Sequence, residues 1–141
     1  MFVGEYQHSL DTKGRVILPA RFREQLEGGA VMARALDGCL AVYPPEEFMR
    51  VARKLQEARE RGPRERVAAG AFFSGADEVA PDKQGRVTIP QHLREYAALD
   101  KDVVVAGGFD HIEIWDAQRF RDRDREGVAT IFGGEGIDDF M

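Results

Sequence analysis

A chain of 141 residues that is 43% hydrophobic is long and apolar enough for one domain with a real core, which argues against disorder. Its longest apolar runs, such as "VVVAGG" from residue 103, are far too short to span a bilayer, the N-terminus lacks a basic region followed by an apolar one, and a lone Cys39 excludes an internal disulfide framework or a multi-cysteine zinc site. A net charge of −5 and a pI near 5.3 give no global attraction to nucleic acid, so any such function has to come from local charge placement.

In chain order, the first strong signal is "LDTKGRVILP" at residues 10–19. Val16 to Leu18 read as a short strand, and Pro19 suits the first position of a helix, where no N–H is needed. In "PARFREQL" Phe22 and Leu26 lie one turn apart. "VMARALDGCLAVYP" reads strand, turn, strand, with Asp37-Gly38 tolerating positive φ. Residues 45–61 form the longest helix candidate, with Phe48, Val51, Leu55 and Ala58 on one stripe and Gly62-Pro63 ending it.

Seventy-one residues after Asp11 the signal returns as "PDKQGRVTIP". It pairs Asp11 with Asp82, Gly14 with Gly85, Arg15 with Arg86, Val16 with Val87, Pro19 with Pro90 and Arg23 with Arg94. Val87 to Ile89 again read as a strand, "PQHLREYA" as a short helix with Leu93 and Ala97 inward, and "VVVAGGFDHIEIWD" as a hairpin turning at Gly107-Gly108. Asp116 is a cap candidate for a weak helix whose apolar face is little more than Ala117 and Phe120. The expected organisation is an α+β chain of two pseudo-twofold related repeats. Residues 1–62 form the first repeat with its linking helix, 63–126 the second, and 127–141 a Gly-rich acidic tail, mobile or docked on a neighbour.

Three residues separate Asp11 from Arg15, and three separate Asp82 from Arg86, which suits a three-residue hairpin loop closed by a left-handed Gly14 or Gly85. In that geometry Asp and Arg face each other, and the Asp accepts turn N–H groups or pairs with the Arg. Asp11, Gly14, Asp82 and Gly85 are thus expected to brace the loops. An exposed ion pair contributes only about 0 to 1 kcal/mol, too little to account for basic residues at both turns. Lys13, Arg15, Lys83 and Arg86 are therefore the candidate contacts to DNA phosphates and bases.

The duplicated D-x-x-G-R-V motif ending in Pro, in a chain opening "MFVGEYQHSLDTKGRVILPARFRE", closely resembles the MraZ family of bacterial regulators, over nearly the whole length. The resemblance implies an AbrB-like, swapped-hairpin β-barrel made by two halves of one chain. It also implies ring-shaped homo-oligomers that bind short direct repeats in the promoter of the division and cell-wall gene cluster through the repeated loops. The expected protein is a cytoplasmic, nucleoid-associated transcriptional regulator of double-stranded DNA, with no cofactor, metal, membrane or small-molecule substrate. The motif copies depart from one another at Thr12 and Lys13 against Lys83 and Gln84, so the two loops need not contribute equally.

Two other classes compete. An enzyme has little support: His8, His92 and His111 show no metal-ligand spacing, "FGGEGI" is neither a phosphate loop nor a dinucleotide fingerprint, and Ser9 and Ser74 sit in no nucleophile elbow. A non-enzymatic interaction module of antitoxin type could use Tyr6, Phe72, Phe73 and Trp115 as an interface. Core placement is the simpler reading of those aromatics.

Overall fold

The strands of the computed structural model, which describes residues 1–140, pair between the two halves of the chain more than within them. Met141, the last residue of the expected tail, lies outside the described residues. In chain order the strands are β1 (Glu5–Ser9), β2 (Arg15–Ile17), β3 (Ala30–Arg34), β4 (Leu40–Tyr43), β5 (Asp77–Val79), β6 (Arg86–Thr88), β7 (Asp102–Gly107) and β8 (Ile112–Asp116). Six of them form one antiparallel sheet in the order β1-β7-β8-β4-β3-β5, and β2 pairs with β6 in a separate ribbon. Exchanging each first-half strand for its second-half counterpart leaves this order unchanged. Among the described residues β1 and β5 pair on one side only, so no closed barrel forms.

The helices are α1 (Ala20–Arg23), α2 (Pro45–Ala58), α3 (Pro63–Gly75), α4 (Gln91–Tyr96) and α5 (Ala117–Thr130). Pro19 and Pro90 precede α1 and α4 as N-caps, one position earlier than the sequence suggests. Phe22, Leu26, Leu93 and Ala97 turn inward as their spacing requires. Asp116 caps α5 by accepting from the Arg119 N–H at 3.1 Å, and that helix runs to Thr130, past the expected tail boundary. A π-turn (Ile131–Glu135) and a 3-10 turn (Ile137–Phe140) follow.

Strand β7 shows why the sheet reads as a continuous apolar run. Val103 and Val105 face the main core with Val16, Leu18, Phe22, Val87, Ile89 and Leu93, while Val104 and Ala106 face Ala117 and Phe120 of α5. Both faces are covered, so alternation is lost. The β2/β6 ribbon roofs the core: Val16 and Val87 are opposite one another and buried, whereas Ile17 and Thr88 point outward.

The two hairpins turn differently. At the β3/β4 turn, Asp37 (φ 67°) and Gly38 (φ 80°) take the left-handed conformations expected of them. In the β7/β8 turn the left-handed residue is Phe109 (φ 73°), not Gly107 or Gly108. Those glycines instead permit close approach: a Cβ on Gly107 would collide with the backbone of Phe2 and Val3, and one on Gly108 with the His111 ring. The N-terminal segment is thereby held by reciprocal bonds between Phe2 and Phe109, 2.8 and 2.9 Å.

The aromatics weighed as interface residues take part in packing. Trp115 is buried, Tyr6 meets Phe22 edge-on at 5.4 Å, and Phe72 and Phe73 cluster with Phe48 between α2 and α3.

Candidate nucleic-acid interface

The repeated loops lie between strands that part company. Residues 11–15 join β1 to β2, yet β1 continues into a ladder with β7 and β2 into one with β6. The hairpin expected here is therefore a turn without a paired stem, because neither flanking strand adopts the other as its partner. The turn itself closes tightly: Asp11 N–H donates to the Arg15 carbonyl at 3.0 Å, and Gly14 N–H to the Asp11 carbonyl at 3.1 Å. The second copy repeats these bonds at 2.9 Å each between Asp82, Arg86 and Gly85.

Each loop carboxylate accepts from three donors. Asp11 Oδ1 accepts from the N–H groups of Lys13 and Arg15, both at 2.9 Å, and Oδ2 accepts from Arg15 Nε at 2.7 Å. Asp82 does the same with Gln84 N–H, Arg86 N–H and Arg86 Nε, all at 2.9 Å. The backbone N–H of Arg15 or Arg86, ahead of the guanidinium contact, holds these carboxyls below the usual aspartate range. With Nε committed, the terminal nitrogens of each guanidinium have no hydrogen-bond partner among the described residues.

Gly14 and Gly85 take φ of 75° and 83°, the left-handed region that disfavours side chains. Each is also roofed by an arginine from the opposite half. A Cβ at Gly14 would strike the Arg94 guanidinium, and one at Gly85 the Arg23 guanidinium. Arg94 is fixed by donating to the Ile89 carbonyl. The two loops are further tied through the ribbon ends, where Leu18 N–H donates to the Gly85 carbonyl and Ile89 N–H to the Gly14 carbonyl.

The structure thus places Asp11, Gly14 and Arg15 in one turn and Asp82, Gly85 and Arg86 in its counterpart. Lys13 and Lys83 are exposed at the tips, and Arg15 and Arg86 are half-buried on the outward face of the ribbon beside Ile17 and Thr88. Arg23 and Arg94 belong to the same surface by crossing between halves. Their matching positions in the repeat were the available signal, but a pairing across halves is invisible in a linear motif.

A family described as "MraZ protein, putative antitoxin-like" matches residues 1–69 and 72–127. The chain belongs to the MraZ family. A relative named Transcriptional regulator MraZ from Heliobacterium modesticaldum is 50% identical over 120 residues, covering 85% of this chain and 84% of the relative. One of the same name from Salinispora arenicola is 49% identical over 116 residues, 82% of each chain, and one from Clostridium acetobutylicum is 45% identical over 120 residues, 85% and 84%.

The histidines considered for catalysis lie apart in the MraZ fold. His92 Nε2 donates to the Gly75 carbonyl at 2.9 Å, His111 sits between Asp110 and Glu113, and His8 is half-buried in β1. Among the described residues no group of three or more His, Cys, Asp or Glu is placed to hold a metal ion. Among the described residues no helix is long and apolar enough to cross a membrane.

Proposed function

We propose that this chain is a sequence-specific, non-enzymatic transcriptional regulator whose two loops bind duplex DNA, with Lys13, Arg15, Lys83 and Arg86 as the contacting residues. The observation carrying this reading is the matched pair of turns. In each, an aspartate binds the Nε of a partly exposed arginine whose terminal nitrogens have no hydrogen-bond partner among the described residues, beside an exposed lysine. A guanidinium presented in this way suits bidentate contact to phosphate or to a guanine edge. Asp11, Gly14, Asp82 and Gly85 hold the turns in shape. The names of the relatives support regulation of transcription.

The finer reading is that residues 1–62 and 63–126 are duplicated, swapped-hairpin repeats of AbrB-like type, with 127–141 as a tail. The unchanged strand order under exchange of halves supports it. Several copies assemble into a ring in the cytoplasm, at the nucleoid, and read short direct repeats in the promoter of the division and cell-wall gene cluster. Genome-wide mapping of bound sites, followed by gel shifts on the recovered fragments, tests this. Enrichment of tandem short elements upstream of that cluster is the expected result. A protein that shifts no recovered fragment at low salt overturns it in favour of a protein-interaction module.

A further inference from the structure

The turn joining α2 to α3 carries a second charged surface, separate from the loops. Between residues 53 and 66 lie six cations, Arg53, Lys54, Arg59, Arg61, Arg64 and Arg66, against three carboxylates, Glu57, Glu60 and Glu65. This surplus of three positive charges stands in a chain whose overall charge is −5. Among the described residues Arg53, Lys54, Arg61, Arg64 and Arg66 make no side-chain hydrogen bond or ion pair, and all five are exposed. Arg59 alone is engaged, stacked over the Phe73 ring at 5.2 Å.

We propose that this helical hairpin is a sequence-independent contact to the DNA phosphate backbone, flanking the elements read by the loops. The inference rests on the reading that the chain binds duplex DNA. Three observations favour a nucleic-acid backbone as the occupant. Five of the six cations are arginines, whose planar forks match phosphate oxygens. Apart from Met49, which is 48% exposed, the apolar stripe of α2 is turned inward, with Phe48 stacked on Phe72 and set edge-on to Phe73. Val67 is then the one large apolar side chain strongly exposed on α3, too little for a lipid surface, which needs a continuous apolar face. Finally, α2 is fourteen residues, about 20 Å, long, so the turn bearing Arg61 and Arg64 stands well away from the end of β4, with Arg53 and Lys54 about halfway along.

The test is fluorescence anisotropy between 50 and 200 mM salt, on a random-sequence 40-bp duplex and on a duplex carrying mapped sites. Each phosphate contact contributes about 0.9 to the slope of log affinity against log salt, so R61A/R64A/R66A is expected to lower the slope by up to about 2.7 on both duplexes. The ratio of specific to random binding should be unchanged. R61K/R64K/R66K should keep the slope, which separates charge from folding. R15A/R86A should instead reduce that ratio. A wild-type slope in the triple alanine variant overturns the hairpin proposal alone. A reduced slope there, with full specificity in R15A/R86A, overturns the loop assignment and leaves the hairpin standing. No salt-dependent binding by the wild-type protein overturns both.

Discussion

Ile89 donates its backbone N–H to the carbonyl of Gly14 at 2.8 Å, so the second repeat's strand is fastened to the first repeat's loop. With the reciprocal bond from Leu18 to Gly85, neither loop is positioned by its own half alone. Damage to one turn is therefore expected to reach the other.

Arg15→Ala and Arg86→Ala should each weaken DNA binding by about 1 to 3 kcal/mol if the guanidinium meets a base edge. Their effect on thermal stability should be small, because each deletes one partly exposed ion pair contributing about 0 to 1 kcal/mol. Gel shifts and thermal melts on the same preparations separate the two. Wild-type affinity in both variants would remove these arginines from the interface.

Gly14→Val should lower both stability and binding. A β-branched residue at φ 75° is strained by about 1 to 3 kcal/mol, and its Cβ would displace the Arg94 guanidinium. Adding Arg94→Ala relieves the collision but not the backbone strain, so the double variant should recover part of the melting temperature. Full recovery would show that the left-handed backbone carries little of the cost.

Binding is expected to depend on the phase of tandem sites. If several copies act as a ring, later contacts are intramolecular and raise avidity by about 10² to 10⁴. Inserting roughly 5 bp between elements turns the second one to the opposite side of the duplex and should forfeit that gain. Titrations onto one element, two native-spaced elements and two offset elements would decide it; equal affinity for all three contradicts the ring.

His111 should make stability depend on pH. Its Nδ1 faces Asp110 at 2.6 Å and its Nε2 faces Glu113 at 2.9 Å, so both nitrogens donate when the ring is charged, with Arg50 3.7 Å from Asp110 and the Tyr43 ring alongside. The Glu113 bond, more than the Asp110 bond, raises the histidine above its ordinary value despite burial. The stabilisation is then full below about pH 6.5 and is lost as pH rises through the raised folded value. His8, lowered by burial, acts with opposite sign. The melting-temperature difference between wild type and His111→Gln isolates His111, and should shrink between pH 6 and 8.5. A constant difference would mean that folding leaves the proton affinity of the ring unchanged.

The parts legible in the sequence were those with local causes. The stripe of Phe48, Val51, Leu55 and Ala58 marks α2, and Asp37-Gly38 marks the β3/β4 turn. Helix α3 carries no such stripe, since small residues around Ala69 and Gly70 and the adjacent Phe72 and Phe73 leave no clear period. Strand β1 is polar because it lies at a sheet edge, burying Tyr6 and His8 only partly. The loop was legible down to the carboxylate's donors, while its missing stem was not. A short β-branched run such as Val16 to Leu18 does not specify whether its partner lies nearby or some seventy residues on.

The pairing of β1 with β7 has a consequence for biosynthesis. Tyr6 meets Val105 and Gln7 meets Val104, contacts between the first and last thirds of the chain. At about 5 to 20 residues per second, the ribosome needs on the order of 5 to 20 s to deliver the partner strand. Through that interval the N-terminal strand has nothing to pair with, and the free flank of β4 waits longer still, for β8. Such long-range closure also slows the folding search itself. Nascent chains stalled near residue 62 should accordingly be protease-sensitive and dependent on chaperones, and protection should arise in one step once β7 has left the exit tunnel.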